Sequence, residues 1–180
     1  MCTKTFKFSE DSSEKEIINF IERLNSDDSF HGILVQLPLP KKFNTKKILH
    51  SVSPQKDVDG FHPLNLGLLI EGNPNFIPCT PNGILELLKY YDIKTTSKNI
   101  VIIGRSNIVG KPMFSLLSQN FEFGNATVTL CHSKTKNISS FTKKADILIV
   151  AVGVPNMVDA SMLKKNVDII DVGINRVNDN

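Results

Sequence analysis

In the second half of the chain, short runs of almost wholly apolar residues alternate with amphipathic segments, and this alternation constrains the fold more than any other feature. It predicts four strands, at residues 99–103, 126–131, 146–150 and 167–172. It also predicts the intervening helices, at residues 111–119, 138–144 and 160–165. Strands this apolar are typical of a parallel sheet that is covered by helices on both faces. Successive right-handed βα units then give an α/β fold with a doubly wound sheet.

The first part of the chain predicts a smaller α/β lobe with a different organisation. Apolar residues at helical spacing predict a helix over residues 14–24. The segment GILVQL at residues 32–37 predicts a buried strand. This strand should end at Pro38 and Pro40, because proline cannot donate a hydrogen bond to a sheet. A surface helix is expected within residues 41–52.

The proline-rich segment FIPCTP at residues 76–81 is expected to be a stiff turn between the two lobes. A helix over residues 82–91 follows it and would join the lobes. We therefore expect one α/β domain over residues 1–80 and a parallel-sheet domain over residues 81–180.

Composition and charge exclude several classes of protein. The net charge is +3 and the 21 Lys and Arg residues are scattered, which argues against a nucleic-acid surface. The longest apolar run, at residues 147–154, is far shorter than a membrane span, and the first eight residues lack the core of a signal peptide. Three widely spaced cysteines indicate a reducing compartment, and we expect the cytoplasm. The four histidines lack the spacing of metal ligands, so no metal site is expected.

The segment GRSNIVGKP at residues 104–112 carries the clearest chemical signal. It directly follows the predicted strand 99–103 and precedes a helix, so backbone N–H groups and the helix dipole would face a phosphate there. Gly104 would allow a tight turn and Gly110 a close approach of the ligand. The spacing is not GxGxxG, however, and a plain turn between strand and helix is the alternative interpretation.

The end of the second predicted strand indicates which dinucleotide would bind. NAD sites place a carboxylate there to hold the ribose hydroxyl, whereas CHSKT at residues 131–135 contains none. Ser133, Lys134 and Arg105 would instead attract a 2′-phosphate, and an arginine can do so in bidentate geometry. We therefore predict NADP as the cofactor. A solvated surface arginine is the other interpretation of Arg105.

The third and fourth predicted strands end in glycine, Gly153 in AVGVP and Gly173 in DVGIN. Ligands of open α/β sheets lie outside the carboxyl ends of the strands, where a bulky side chain would block a nucleotide. Ile174 and Asn175 would then lie beside the nicotinamide. Ordinary turn glycines are the alternative.

In the first lobe, Gln36 lies inside the apolar segment, where a buried amide must either satisfy a structural network or orient a reacting group. The segment KDVDGFHP at residues 56–63 places Asp57 and Asp59 at a spacing of two, on one side of an extended segment. One of them could steady a cationic group, although an Asp-Gly turn is equally consistent with the residues.

Six segments together resemble the bifunctional methylenetetrahydrofolate dehydrogenase/methenyltetrahydrofolate cyclohydrolase family, over nearly the whole chain. They are GILVQLPLP, KDVDGFHP, FIPCTPNG, GRSNIVGKP, ATVTLCHSKT and DVGIN, in that order. The resemblance implies a partial folate-binding catalytic lobe followed by a Rossmann-like NADP-binding lobe. It also implies NADP-linked oxidation of 5,10-methylenetetrahydrofolate, hydrolysis of the product to 10-formyltetrahydrofolate, and a homodimer with a cleft between the lobes.

The resemblance also assigns roles to individual residues. Gln36 corresponds to the glutamine that tunes the family's catalytic lysine, and Asp59 to the aspartate that contacts the pterin ring of the folate. The residues that correspond to NADP contacts are Gly104, Arg105, Ser106, Ser133 and Ile174.

The chain departs from the family pattern in two places. The family's catalytic lysine lies in a Tyr-x-x-x-Lys motif, and no such motif precedes Gln36, where Lys4, Lys7 and Lys15 are the only lysines. The family's PVPGGVGP segment is also missing. We therefore expect a family member truncated at both ends, in which hydride transfer persists weakly and cyclohydrolase activity is largely lost.

Two other hypotheses remain from the residues. One is a non-catalytic NADP-binding or dimerising fragment. The other is a different dehydrogenase that uses the same lobe, although it does not account for VQLPLP, KDVDG and PCTP together.

Overall fold

The computed structural model describes residues 2–174. Its first part contains four helices, α1 (Glu14–Asn25), α2 (Thr45–Ser51), α3 (Pro63–Glu71) and α4 (Cys79–Tyr90). The second part then alternates β1 (Asn99–Ile103), α5 (Gly110–Ser118), β2 (Thr127–Cys131), α6 (Ser139–Thr142), β3 (Ile147–Val150), a single 3₁₀ turn (Ala160–Met162) and β4 (Asp168–Asp171). The four strands form one parallel sheet in the order β2-β1-β3-β4, which confirms the predicted α/β class.

The two central strands are buried on both faces of the sheet, because successive side chains point to opposite sides. Ile100 and Ile102 of β1 pack in a core with apolar residues of α3, α4 and α5. Val101 and Ile103 pack on the opposite face, in a smaller core that Ile138 and Leu163 help to cover. The doubly covered sheet that the apolar runs predict is therefore present at β1 and β3.

The outer strands differ from that prediction. In the described residues β2 and β4 each have one hydrogen-bonded neighbour, and Ile169 of β4 is largely exposed. The elements on the second face are also shorter than predicted. The helix expected at residues 138–144 is only Ser139–Thr142, and the one expected at residues 160–165 is a single 3₁₀ turn.

The first lobe has a core of its own, in which Ile17 and Ile21 of α1 meet Ile48 of α2. The strand predicted at residues 32–37 is wrong. This segment forms one isolated bridge, between Ile33 and Asp57, and Leu34 is 58% exposed. An apolar run becomes a strand only where its backbone finds a partner strand, and only Ile33 finds such a partner here. The helix expected within residues 41–52 is Thr45–Ser51.

Helix α4 begins earlier than its sequence indicates. Residues 76–81 were expected to form a turn, but the helix already begins at Cys79 and includes Pro81 in its first turn. Proline is tolerated there because N–H groups in the first turn have no partner inside the helix.

Helix α3 was not predicted, and it connects the two parts of the molecule. Pro63 is its first residue, the His62 Nδ1 accepts a hydrogen bond from the Leu64 N–H, and Gly72 ends it in left-handed geometry. Asn65 donates to the carbonyl of Pro54 in the first lobe, at 2.9 Å, while Leu69 packs in the core against the sheet. The lobe boundary at residues 80/81 stays a prediction.

The position of α3 predicts that substitutions at two adjacent residues, Leu69 and Ile70, change the free energy of unfolding by very different amounts. Leu69 is 1% exposed and Ile70 is 69% exposed. Leu69→Ala should lower the free energy of unfolding by about 2–5 kcal/mol, because it removes buried methyl groups and leaves a cavity. Ile70→Ala, the matched control, should change it by less than about 0.5 kcal/mol. Urea unfolding monitored by circular dichroism measures both values, and equal effects would contradict this packing of α3.

Candidate functional site

The carboxyl ends of the four strands lie at one edge of the sheet. The Gly104 N–H donates to the carbonyl of Cys131 at 2.9 Å, and the Ala151 N–H to that of Ile103 at 2.8 Å, so the segments that follow β1, β2 and β3 begin side by side. The chain goes from β1 to β2 on one side and to β3 and β4 on the other. In open α/β sheets such a reversal leaves a crevice between the two central strands, and this is where ligands bind.

The loop between β1 and α5 is packed too tightly for side chains at its two glycines. Gly104 has φ +123°, and a Cβ there would overlap the carbonyl oxygen of Ala151. A Cβ at Gly110 would overlap the carbonyl oxygen of Gly104. The tight turn predicted at Gly104 is therefore present. Gly110 is required by packing within the loop itself, and the close approach of a ligand to it stays a prediction.

Ser106 holds the beginning of α5. Its Oγ accepts hydrogen bonds from the N–H groups of Val109 and Gly110, at 3.0 and 3.4 Å, and its carbonyl accepts from Lys111. The first donors of the helix are therefore partly occupied. Among the described residues, the backbone N–H groups of residues 105–107 have no acceptor and remain available to a phosphate.

The loop after β2 presents the side chains that the sequence assigns to a 2′-phosphate. His132 and Thr135 close the loop, since the His132 N–H donates to the Thr135 Oγ1 and the Thr135 N–H to the His132 carbonyl. Ser133 and Lys134 are exposed at its tip, and Arg105 is exposed at the start of the neighbouring loop. The edge of the sheet thus presents hydroxyl and cationic groups, and residues 131–135 contain no carboxylate.

The other two strand ends differ in their environments. A Cβ at Gly173 would overlap the carbonyl oxygen of Val152, so this glycine is required by packing, whereas Gly153 is exposed. Ile174 is 91% exposed. Asn175 lies outside the described residues.

In the first lobe, three of the sequence segments meet. The Ile33 N–H donates to the carbonyl of Lys56 at 2.7 Å, which joins GILVQLPLP to KDVDGFHP. Gly60 has φ +68°, and a Cβ there would lie 3.1 Å from the carbonyl oxygen of Phe76 and 3.2 Å from the Cδ of Pro78. The loop of residues 56–60 therefore packs against the beginning of FIPCTPNG.

Gln36 does not lie where its sequence context suggests. It was expected to be a buried amide, but its side chain is exposed and its Nε2 donates only to the adjacent Leu37 carbonyl, at 3.1 Å, within the described residues. Burial alternates along this segment even without a strand, and Gln36 shares the exposed side with Leu34. Its contact with a ligand stays a prediction.

The two carboxyl groups of the 56–60 loop have different environments. Asp57 is buried, and its Oδ2 accepts from the His62 N–H and the Asn65 Nδ2, both at 2.8 Å. Asp59 is partly exposed, and burial followed by the negative charge of Asp57 raises its pKa above the ordinary value. Asp57 therefore serves the structure, and Asp59 is the carboxyl of the loop that can reach a ligand.

His62 and Asn65 contribute to this loop and were missed because α3 was not predicted. The available signal was the placement of Pro63 and Gly72, since proline favours the first residue of a helix and glycine the position just after its end.

Other classes of site receive no support from the described residues. Within residues 2–174, no group of three or more His, Cys, Asp and Glu side chains is arranged to hold a metal ion. None of the helices described there is long and apolar enough to cross a membrane.

Two family models match the chain. One, described as the tetrahydrofolate dehydrogenase/cyclohydrolase NAD(P)-binding domain, matches residues 78–180. The other, described as the tetrahydrofolate dehydrogenase/cyclohydrolase catalytic domain, matches residues 1–59.

Similar curated proteins are longer than this chain. The bifunctional protein FolD of Ligilactobacillus salivarius is 55% identical over 170 residues, which cover 94% of this chain and 58% of the relative. The bifunctional protein FolD of Bacillus subtilis is 51% identical over 174 residues, which cover 97% of this chain and 60% of the relative. The chain thus spans somewhat under two thirds of the length of these relatives.

Solved structures agree with the fold. The bifunctional FolD enzyme of Campylobacter jejuni superposes with a TM-score of 0.88 at 49% identity, over 94% of this chain and 59% of that chain. The methylenetetrahydrofolate dehydrogenase-cyclohydrolase of Trypanosoma brucei, solved with an NADP cofactor and an inhibitor, has a TM-score of 0.84 at 34% identity, over 93% of this chain and 56% of that chain.

Two glycines that begin or lie within helices provide a test of the β1–α5 loop. Gly110→Ala should lower the free energy of unfolding by about 1–3 kcal/mol and weaken dinucleotide binding, because its Cβ has no room beside Gly104. Gly83→Ala in α4 has open space and should raise stability by about 0.5–1 kcal/mol, because alanine favours the helix. Denaturant unfolding and titration with NADP measure these effects. Normal stability and binding in Gly110→Ala would disprove the close packing of the loop.

Proposed function

Because this chain belongs to the tetrahydrofolate dehydrogenase/cyclohydrolase family, we propose that it acts in one-carbon folate metabolism, on a tetrahydrofolate derivative with NADP. The reaction would be the oxidation of 5,10-methylenetetrahydrofolate to the 5,10-methenyl compound, followed by hydrolysis to 10-formyltetrahydrofolate. The observation that carries the proposal is the tightly packed Gly104–Gly110 loop at the crevice of the sheet, in a chain whose 56–60 loop also presents Asp59. We further propose that the protein is cytoplasmic and forms a homodimer.

The second lobe would bind NADP through groups of two kinds. The backbone N–H groups of residues 105–107, which follow Gly104 and have no acceptor among the described residues, would hold the diphosphate. Gly104 and Ser106 would thus contribute to the NADP site. The Arg105 guanidinium and the Ser133 hydroxyl would hold the 2′-phosphate, with Ile174 beside the nicotinamide. Bound there, NADP would accept a hydride from the methylene carbon of the folate.

The first lobe would orient the folate through Asp59 and Gln36. An ionised Asp59 can accept hydrogen bonds from the ring N–H and amino group of a pterin, as carboxylates do from paired donors. Since the pKa of Asp59 is raised, protonation would remove this acceptor at a higher pH than for an ordinary aspartate. Folate binding should therefore weaken as the pH falls, and at a higher pH than an aspartate of ordinary pKa would give.

The cyclohydrolase step needs a group that moves protons at the one-carbon bridge while water adds to it and a carbon–nitrogen bond breaks. A lysine with a lowered pKa suits this task. Lys56 is unsuitable as this proton-transfer group, because its Nζ donates to the carbonyls of Leu24 and Asp27, at 3.0 and 2.9 Å, at the end of α1. We propose that the 180-residue polypeptide is impaired in this step, since no Tyr-x-x-x-Lys precedes Gln36.

The alternative function is a non-catalytic NADP-binding or dimerising fragment. Only the folate-dependent properties distinguish the two functions, because both retain the Gly104–Gly110 loop.

The preference for NADP predicts a selective loss in one variant. Arg105→Ala should weaken NADP binding about tenfold, which corresponds to about 1.4 kcal/mol, and leave NAD binding unchanged. Arg23→Ala is the matched control, because Arg23 lies on α1 and packs over the Phe20 ring. Calorimetric titrations with both dinucleotides provide the values. An unaltered ratio of NADP to NAD affinity in Arg105→Ala would refute the assignment.

Ligand binding and turnover by the purified 180-residue polypeptide distinguish the two functions. We expect it to bind both NADP and a stable reduced folate, 5-formyltetrahydrofolate, with slow NADPH formation from 5,10-methylenetetrahydrofolate. We expect little hydrolysis of the methenyl compound, which is followed by the decay of its absorbance. Binding of NADP alone would favour the non-catalytic fragment, and rapid hydrolysis would contradict the impaired cyclohydrolase.

A further inference from the structure

Asn65 is a fully buried polar residue at the beginning of α3, and no activity considered so far uses it. Its Nδ2 donates two hydrogen bonds, to the carbonyl of Pro54 at 2.9 Å and to the Oδ2 of Asp57 at 2.8 Å. Pro54 lies in the turn that precedes the 56–60 loop, and Asp57 lies in the loop itself. One amide group therefore ties that turn to α3.

The other end of the same amide is unsatisfied. The Asn65 Oδ1 is buried and has no hydrogen-bond partner within the described residues. An unpaired buried acceptor costs free energy that an apolar side chain of similar volume would not cost. The two donated bonds offset this cost, because they satisfy the Pro54 carbonyl and the buried Asp57 carboxylate, and they also fix the position of Asp57 relative to α3.

The contacts around the loop define what is positioned. Asp57 is held by Asn65 and by the His62 N–H at the beginning of α3, where a negative charge is also favoured by the helix dipole. Lys56 is held by the end of α1, and Gly60 packs against Phe76 and Pro78. Asp59 lies between these fixed points, and its carboxyl has no hydrogen-bond partner among the described residues.

We propose that Asn65 is a positioning residue, which holds the 56–60 loop through Asp57 so that the Asp59 carboxyl is presented to the pterin of the folate. The contact with folate rests on the function proposed above, whereas the conformation of the loop does not. Asn65 acts only through Asp57 and the Pro54 carbonyl, and it does not touch the ligand itself.

The main test compares Asn65→Leu with Thr95→Val. The leucine has a similar volume but donates no hydrogen bond. Thr95 is also fully buried, and its Oγ1 donates to the Gly124 carbonyl at 2.9 Å, so Thr95→Val removes a buried side-chain hydrogen bond that does not involve the 56–60 loop. Asn65→Leu should weaken binding of 5-formyltetrahydrofolate about tenfold and leave NADP binding unchanged, while Thr95→Val should change neither by more than about twofold.

A second measurement follows Asp59 directly, by NMR titration of its side-chain carboxyl carbon. In the wild-type chain the pKa of Asp59 is raised by burial and by Asp57. In Asn65→Leu the loop should relax toward solvent, so the Asp59 titration should move down toward the ordinary range. The amide hydrogens of residues 58–60 should also exchange faster.

The two measurements separate this proposal from the proposed function. If the wild-type chain does not bind the folate, the function fails and the titration of Asp59 alone decides the role of Asn65. An Asp59 titration that is the same in a folded Asn65→Leu variant and in wild type overturns the proposal. If Asn65→Leu does not fold, Asn65→Ser replaces it, since a shorter hydroxyl side chain cannot make both bonds and should cause the same changes in the same direction.

Discussion

The burial of β1 and β3 on both faces of the sheet is the constraint on which the rest of the structure depends. Two adjacent parallel strands that are covered on both sides bring their carboxyl ends together, and the segments that follow them must leave the sheet in a narrow space. Gly104 has no room for a side chain because the carbonyl of Ala151 is there, and Gly110 has none because of Gly104 itself. The conformation of the Gly104–Gly110 loop is thus a consequence of how the core packs, and the backbone N–H groups proposed to bind phosphate are already in place.

The first lobe reaches comparable order by a different route. It contains no sheet within the described residues, and its 56–60 loop is held by polar contacts instead of by strand packing. Lys56 binds the end of α1, Asp57 binds the beginning of α3, and Gly60 packs against Pro78. Hydrogen bonds to a charged group are stronger than bonds between neutral groups, so a few of them can replace a ladder of backbone bonds. Because the contacts are few, the loss of any one of them should loosen the 56–60 loop.

This difference explains which parts could be predicted from the sequence. Asn99–Ile103 and the helix after it were predicted because apolar periodicity and glycine placement are local signals. The segment around Gln36 was assigned wrongly, because its apolar run has no information about whether a partner strand exists. Helix α3 was missed because it is apolar on most sides and contains Gly67. The pairing of Asn65 with Asp57 depends on that helix, so no local pattern could indicate it.

The proposed nucleotide site would separate affinity for a dinucleotide from selectivity between NADP and NAD. The diphosphate would be held by backbone groups whose positions are determined by buried packing, and a substitution there must disturb the core. The 2′-phosphate would be held by Arg105 and Ser133, both exposed at loop positions where the packing places no demand on the side chain. A change of charge at these two residues can therefore alter which dinucleotide is preferred without a cost in stability. Gly104 and Gly110 differ in this respect, because a substitution at either glycine would affect both the stability of the fold and the binding of the dinucleotide. Selectivity for NADP should therefore be altered more easily by substitution than the capacity to bind a dinucleotide, which depends on buried packing.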